Sequence, residues 1–234
     1  MIKFEFRISI LFRIYFVSRL RLVSIFEFRI YIPVSPPTLE LEKNLWTRGF
    51  HHVAGLDEAG RGCLAGPVVA GAVILPQGVM IPGVDDSKKL KAARREEVFE
   101  AICDRAVAVG VGMCSPEQID LMNILWAAME AMRRAAATLA PGPDFLLIDG
   151  NHCFPKSPWP YQTVVKGDAH SHTIAAASIV AKVTRDRLMH RLHEEFPAYG
   201  WRQNVGYPTQ AHYAALAAHG PTPYHRRSFR LEAR

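Results

Sequence analysis

The period of hydrophobic and polar positions changes repeatedly along this chain, and each change marks an expected element. Residues 51–56 read as a first strand and 68–75 as a second, the latter built from Val, Ala and Ile. Residues 77–83 hold Gly and Pro and read as a turn region. Helical spacing follows over 89–105, with Asp86-Ser87 placed to cap it. Residues 106–113 read as a third strand. Ser115-Pro116-Glu117 opens a second helix, with Ser as N-cap and Pro at the first helical position. That helix runs on through 119–139 until Pro141-Gly142-Pro143 stops it. Residues 145–148 form a short apolar strand that ends at Asp149-Gly150, and 163–165 read as a fifth strand. A long helix over 174–196, a loop around Gly206 and a short helix over 209–219 complete the pattern. Strands first, then strands alternating with helices, predict an α/β domain with a mixed sheet.

Residues 1–34 are unlike the rest. Apolar residues alternate at Phe4, Phe6, Ile8, Ile10 and Phe12, a period of two. Arg13, Arg19 and Arg21 interrupt any apolar run before it reaches the roughly 18 residues that span a bilayer. No clean apolar stretch with a small-residue cleavage site suggests a signal peptide, and Glu5 and Glu27 speak against a transit peptide. Pro33, Pro36 and Pro37 then resemble a linker. Residues 1–38 are therefore expected to be an extension outside the domain, which would occupy 39–234. A genuine strand pair or anchor is the other reading.

The chain has 234 residues, enough for one domain with a tail. In the first 34, six basic groups against two acidic ones give +4 of the total +6, leaving +2 for the remaining 200. Overall charge is thus weak evidence for a nucleic-acid partner, and local clusters must carry that argument. Cys63, Cys103, Cys114 and Cys153 form no CxxC pair, which points to reduced thiols in a cytoplasmic protein.

The chemistry gathers on carboxylates. The first strand runs into Gly55-Leu56-Asp57-Glu58-Ala59-Gly60-Arg61-Gly62. Neighbouring strand residues face opposite ways, so Asp57 and Glu58 cannot both enter one core. A solvated turn would explain the pair, and so would a divalent cation. Gly55 and Gly60 match the first half of a P-loop, but Arg61-Gly62 stands where Lys and Ser or Thr belong, so a phosphate-cradling loop is rejected. Asp149 closes the apolar strand, and Asp168 sits in Lys166-Gly167-Asp168 ahead of the long helix. Singly, these read as a turn residue and a helix cap. Together, four carboxylates at element ends suggest a shared site for two divalent metals, roughly 3.5–4 Å apart in such sites. Oxygen ligands favour Mg²⁺ or Mn²⁺ over zinc.

Six ordered stretches resemble bacterial ribonuclease HII: GLDEAGRGCLAGPVVAGAVIL (55–75), DSKKL (86–90), LLIDGN (146–151), VVKGDAHSHTIAAASIVAKVTRD (164–186), GYPTQAHYAAL (206–216) and HRRSF (225–229). The resemblance implies an RNase H-like fold with a central mixed five-stranded sheet flanked by helices and a C-terminal helical region. It implies a metal-dependent endonuclease acting on RNA–DNA hybrids and on duplex DNA carrying ribonucleotides. Its catalytic and metal-holding set falls on Asp57, Glu58, Asp149 and Asp168. It also implies that Gly60-Arg61-Gly62 and Tyr207 recognise the ribo–deoxyribo junction, where glycine lets backbone approach a sugar and an aromatic ring can stack.

Lys88, Lys89, Lys166, Arg226 and Arg227 lie beside these motifs and are expected to meet phosphates. Lys182, Arg185 and Asp186 are expected to form structural ion pairs instead. A monomer is expected, with no membrane association. Ala169 and Val205 depart from the Ser and Lys common in the family, and the related ribonuclease HIII carries a Glu where Asp168 stands. Two competing readings are a nucleic-acid-binding module without catalysis, and a phosphatase or DNA nuclease indifferent to the 2′-hydroxyl.

Overall fold

The computed structural model describes residues 36–233. The alternating pattern of residues 4–12 and nearly all of the expected extension lie outside the described residues. Of residues 36–38, Thr38 is tied to the domain. Its N–H donates to His170 O (3.3 Å) and its carbonyl accepts from His172 N–H (2.9 Å).

Eleven elements follow in order: α1 (Glu40–Thr47), β1 (Val53–Ala59), β2 (Val68–Ile74), α2 (Ala92–Arg105), β3 (Ala108–Cys114), α3 (Pro116–Ala137), β4 (Phe145–Asp149), β5 (Tyr161–Val164), α4 (His172–Glu195), α5 (Trp201–Asn204) and α6 (Gln210–His219). The strands form one five-stranded sheet in the order β3-β2-β1-β4-β5. The first three strands pair antiparallel, and β4 and β5 join parallel to β1 and to each other. This is the mixed sheet of the RNase H-like fold.

Strand pleating divides the side chains between two layers. Ala54, Leu56, Leu146 and Ile148 pack with Ala127, Ala131 and Ala135 of α3. On the other face, Val53, Phe145 and Leu147 pack with Ile174 of α4, and Val73 meets Ala175–Ala177. The helices sit unusually close because the strands present glycine. A Cβ on Gly55 would stand 2.3 Å from the Thr173 carbonyl carbon, and one on Gly71 would stand 2.4 Å from Ala177 O.

Several expected boundaries shift. β1 continues to Ala59, so Asp57 and Glu58 lie within the strand, paired with Gly71 and Ala70 of β2. Helix α2 begins at Ala92 without a side-chain cap, and Asp86-Ser87 belong to a turn in which Asp86 Oδ1 accepts from Lys88 N–H (2.9 Å). Asp168 does not cap α4. It lies in a 3₁₀ turn, Gly167–Ala169, and Ser171 is the cap, accepting from Ile174 N–H (3.1 Å). The Ser115 cap of α3 stands as expected and forms a full capping box with Gln118. Within α3, Asn123 takes a left-handed φ of 64° and re-caps the helix on Leu125 and Trp126.

Candidate active site

Asp57 and Asp149 are brought together by the parallel pairing of the two central strands. Each lies one residue past the last paired position, Leu56 with Ile148, on the face covered by α4. Asp168 approaches from the turn before α4, where Gly167 N–H donates to Asp149 Oδ1 (2.6 Å). Glu58 points the other way by the pleat, but its length keeps it within reach of the Asp149 charge.

Electrostatics mark this group as unlike the surface carboxylates. Burial pushes the Asp57 carboxyl well above its ordinary range, and the neighbouring charges of Glu58 and Asp149 push it further. Burial also raises Glu58, against the lowering effect of Arg61, whose Nη1 donates to Glu58 Oε1 at 3.0 Å. Asp149 is raised by burial and by Asp168, against the Gly167 N–H. The Ser178 hydroxyl faces Asp57 and is itself 2.8 Å from Ser87 Oγ.

Among the described residues, no three His, Cys, Asp or Glu side chains are arranged to grip an ion as they stand. Each carboxylate instead takes a local partner. Asp57 accepts from Glu58 N–H (2.7 Å), Glu58 from Arg61, Asp149 from Gly167 N–H, and Asp168 from Lys88 Nζ (3.3 Å). The donor set nevertheless fits a hard divalent cation: oxygen ligands only, with a buried carboxylate repelled by two others.

Beside the carboxylates lies the Gly60-Arg61-Gly62 loop. Gly60 has φ 96°, and a Cβ there would meet Arg185 Nε at 2.0 Å, so only glycine fits. Gly62 has open space where a side chain would stand. Tyr207 is half-exposed, with Lys182 Nζ 5.7 Å from its ring centre and Cys63 at its hydroxyl.

Lys88, Lys89, Lys166 and Arg227 are exposed. Lys89 pairs with Asp85 (3.1 Å), and the Arg227 backbone N–H donates to Asp120. Arg226 departs from the expected phosphate contact. It is fully buried, and its guanidinium donates to Gly66 O (3.0 Å), Arg61 O (2.9 Å) and Gly60 O (2.7 Å). Burial lowers its pKa to about 10. It braces the loop rather than meeting substrate.

Lys182 and Asp186 form the expected ion pair (2.7 Å), joined by Arg95 (3.4 Å). Arg185 does not join them. Buried, it donates to the carbonyls of Pro67, Val205 and Ala65. Sequence reasoning passed over this brace and the Ser87–Ser178 pair. Ser178 gave a signal, a polar residue within the apolar run of α4, whereas Arg185 stands among other charged residues and gave none.

The ribonuclease HII family model matches residues 54–232. The chain belongs to the ribonuclease HII family. Ribonuclease HII of Salinibacter ruber is 58% identical over 196 residues, covering 82% of this chain and 98% of the relative. That of Geobacter metallireducens is 54% identical over 196 residues, covering 81% and 92%. Among solved structures, ribonuclease H2 from Pyrococcus horikoshii superposes with a TM-score of 0.64 at 30% identity, over 76% of this chain and 94% of that one. Ribonuclease HIII in complex with Mn²⁺ is 17% identical with a TM-score of 0.59, a likeness of fold alone. The chain is thus a ribonuclease HII-type endonuclease of RNA–DNA hybrids, with the family's metal-dependent chemistry, and the module without catalysis drops out. Among the described residues, no helix is long and apolar enough to cross a membrane.

Proposed function

We propose that this ribonuclease HII also nicks duplex DNA on the 5′ side of embedded ribonucleotides, leaving 5′-phosphate and 3′-hydroxyl ends, with Asp57, Glu58, Asp149 and Asp168 holding Mg²⁺ or Mn²⁺. The observation that carries this reading is the juxtaposition of Asp57 and Asp149 on neighbouring strand ends, close enough for Asp149 to raise the Asp57 pKa. Held by these carboxylates, two divalent ions would supply water activation and charge neutralisation at the leaving oxygen.

The protein's own groups supply the rest. Asp57 and Asp149 present the central oxygen donors, and Glu58 and Asp168 flank them. The Ser178 hydroxyl lies beside the Asp57 carboxyl and favours its charged form. Open space over Gly62 lets a ribose approach the backbone, which suits a test for the 2′-hydroxyl. Tyr207 offers a half-exposed ring for the sugar or base that follows the ribonucleotide. The exposure of Lys88, Lys89, Lys166 and Arg227 supports reading them as phosphate contacts. We read the enzyme as a monomer of the cytoplasm, in keeping with its unpaired cysteine spacing.

The test is cleavage of a labelled duplex carrying one ribonucleotide, beside the same duplex without it. Asp57→Asn and Asp149→Asn should each lose ~10²-fold or more in turnover while keeping the fold. Near wild-type turnover with Mg²⁺ or Mn²⁺ would remove the assignment. Equal cutting of the all-deoxy duplex would favour a general DNA nuclease.

A further inference from the structure

Two buried histidines lie behind the Tyr207 loop. His212 and His225 are 0% and 1% exposed, and their Nε2 atoms are 3.0 Å apart. They sit in a small core with Tyr199 and Trp201, whose rings stack 5.3 Å apart.

Hydrogen bonding fixes the proton on every ring nitrogen of the pair. Thr222 N–H points at His225 Nδ1 (2.9 Å), so that nitrogen is bare. The His225 proton is therefore on Nε2, facing His212 Nε2. Trp201 Nε1–H also donates to His212 Nε2 (3.1 Å), so this nitrogen is bare as well. The His212 proton must then be on Nδ1, 3.0 Å from Tyr207 O. The relay runs one way, from Thr222 through His225 and His212 to the backbone of Tyr207. Both rings must be neutral for it to hold. Burial keeps them so, lowering His212 and, helped by its neighbour His212, bringing His225 to about 4.

The Tyr207 loop needs such a hold. Val205 and Gly206 both take left-handed backbone, with φ 41° and 84°, and a β-branched residue resists that conformation. Among the described residues, Tyr207 O accepts from Thr209 N–H (2.8 Å) and His212 alone. We propose that the His212–His225 pair is the positioning device of Tyr207 and so determines selectivity for a single ribonucleotide in DNA; this rests on the reading of Tyr207 given above. Neither histidine touches substrate. They act by fixing the direction in which the Tyr207 Cα presents its ring.

The comparison uses kcat/KM on a duplex with one ribonucleotide and on a continuous RNA–DNA hybrid, at one salt concentration. His212→Phe fills the space without a donor. It should lower the ratio of the two values about tenfold, within the range of a lost base–aromatic stack. His212→Asn keeps a donor near the Nδ1 position and should restore most of the ratio. In a Tyr207→Ala background, His212→Phe should change the ratio no further.

Equal losses on both substrates, failure of Asn to rescue, or full additivity with Tyr207→Ala would each overturn the proposal. If Tyr207→Ala lowers the ratio and His212→Phe does not, the proposal fails and the reading of Tyr207 stands. If Tyr207→Ala leaves the ratio unchanged, that reading fails and takes the proposal with it. Circular dichroism checks the fold of each variant. Independently of any variant, long-range ¹H–¹⁵N spectra of the wild type at neutral pH should show His212 protonated at Nδ1 and His225 at Nε2. The opposite tautomer at His212 would overturn the relay.

Discussion

Asp57 is a residue placed against its own stability. It is 5% exposed, with Glu58 and Asp149 adding repulsion to the cost of burial. Its folded-state pKa is raised, so the unfolded chain releases this proton first. The penalty is absent below the unfolded value, grows as pH rises from there to the raised one, and is complete above it. Metal-free Asp57→Asn should therefore melt at a higher temperature than wild type at neutral pH, and the gap should close as pH falls into the ordinary carboxylate range. Thermal denaturation from acid to neutral pH with a chelator present checks this, and a variant that melts lower at neutral pH would contradict it. A gain in stability beside a loss of cleavage is the pattern of a functional site. At this scale the acidic set was legible, because buried carboxylates need a reason and these stood together in motifs. Arg226 was not. Its partners are loop carbonyls 160 or more residues away, and nothing in HRRSF tells which arginine turns inward.

At the scale of elements, the strand alternation and the long helices were legible from periodicity, while the polar exceptions were not. The end of β1 was read too early because Asp is rarely found inside strands. Helix α1 left no clear stripe because one of its buried residues is Glu42, which accepts from Ser171 Oγ (2.6 Å) and Thr173 N–H (3.0 Å). The tight seat of α4 on β1 was also invisible, since a strand glycine gives no sign of what lies above it. That seat yields a prediction. The Cβ of Gly55→Ala would collide with Thr173 backbone, which has no rotamer to change. Destabilisation of ~1–3 kcal/mol follows from such overpacking, a fall of about 2–4 °C per kcal/mol in a domain of this size. Cleavage should fall with it, because α4 carries Ser178 and follows Asp168. Wild-type melting and kcat/KM in this variant would mean that the helix can lift without consequence.

For the molecule as a whole, family motifs begin at Gly55 and the described backbone hydrogen-bond pairing begins at Thr38, next to the buried Pro37. A chain starting at Pro36, which keeps the Thr38 bonds, should stay folded and cleave its substrates. Lost soluble expression or lost cleavage would show that residues 1–35 belong to the working enzyme. The remaining consequence comes from the two buried arginines. Arg185 and Arg226 draw six carbonyls from residues 60–67 and 205 into one clamp, and among the described residues neither guanidinium forms an ion pair. The loop proposed to feel the ribose, the stretch leading to Tyr207 and the strand end bearing Asp57 are thereby bolted to one frame. The span between sugar test and carboxylates is set at folding, before any duplex arrives. On that proposal the enzyme works as a fixed-jaw gauge: the backbone does not shift to follow a sugar that lacks the 2′-hydroxyl, and the poor fit is rejected at the cutting step.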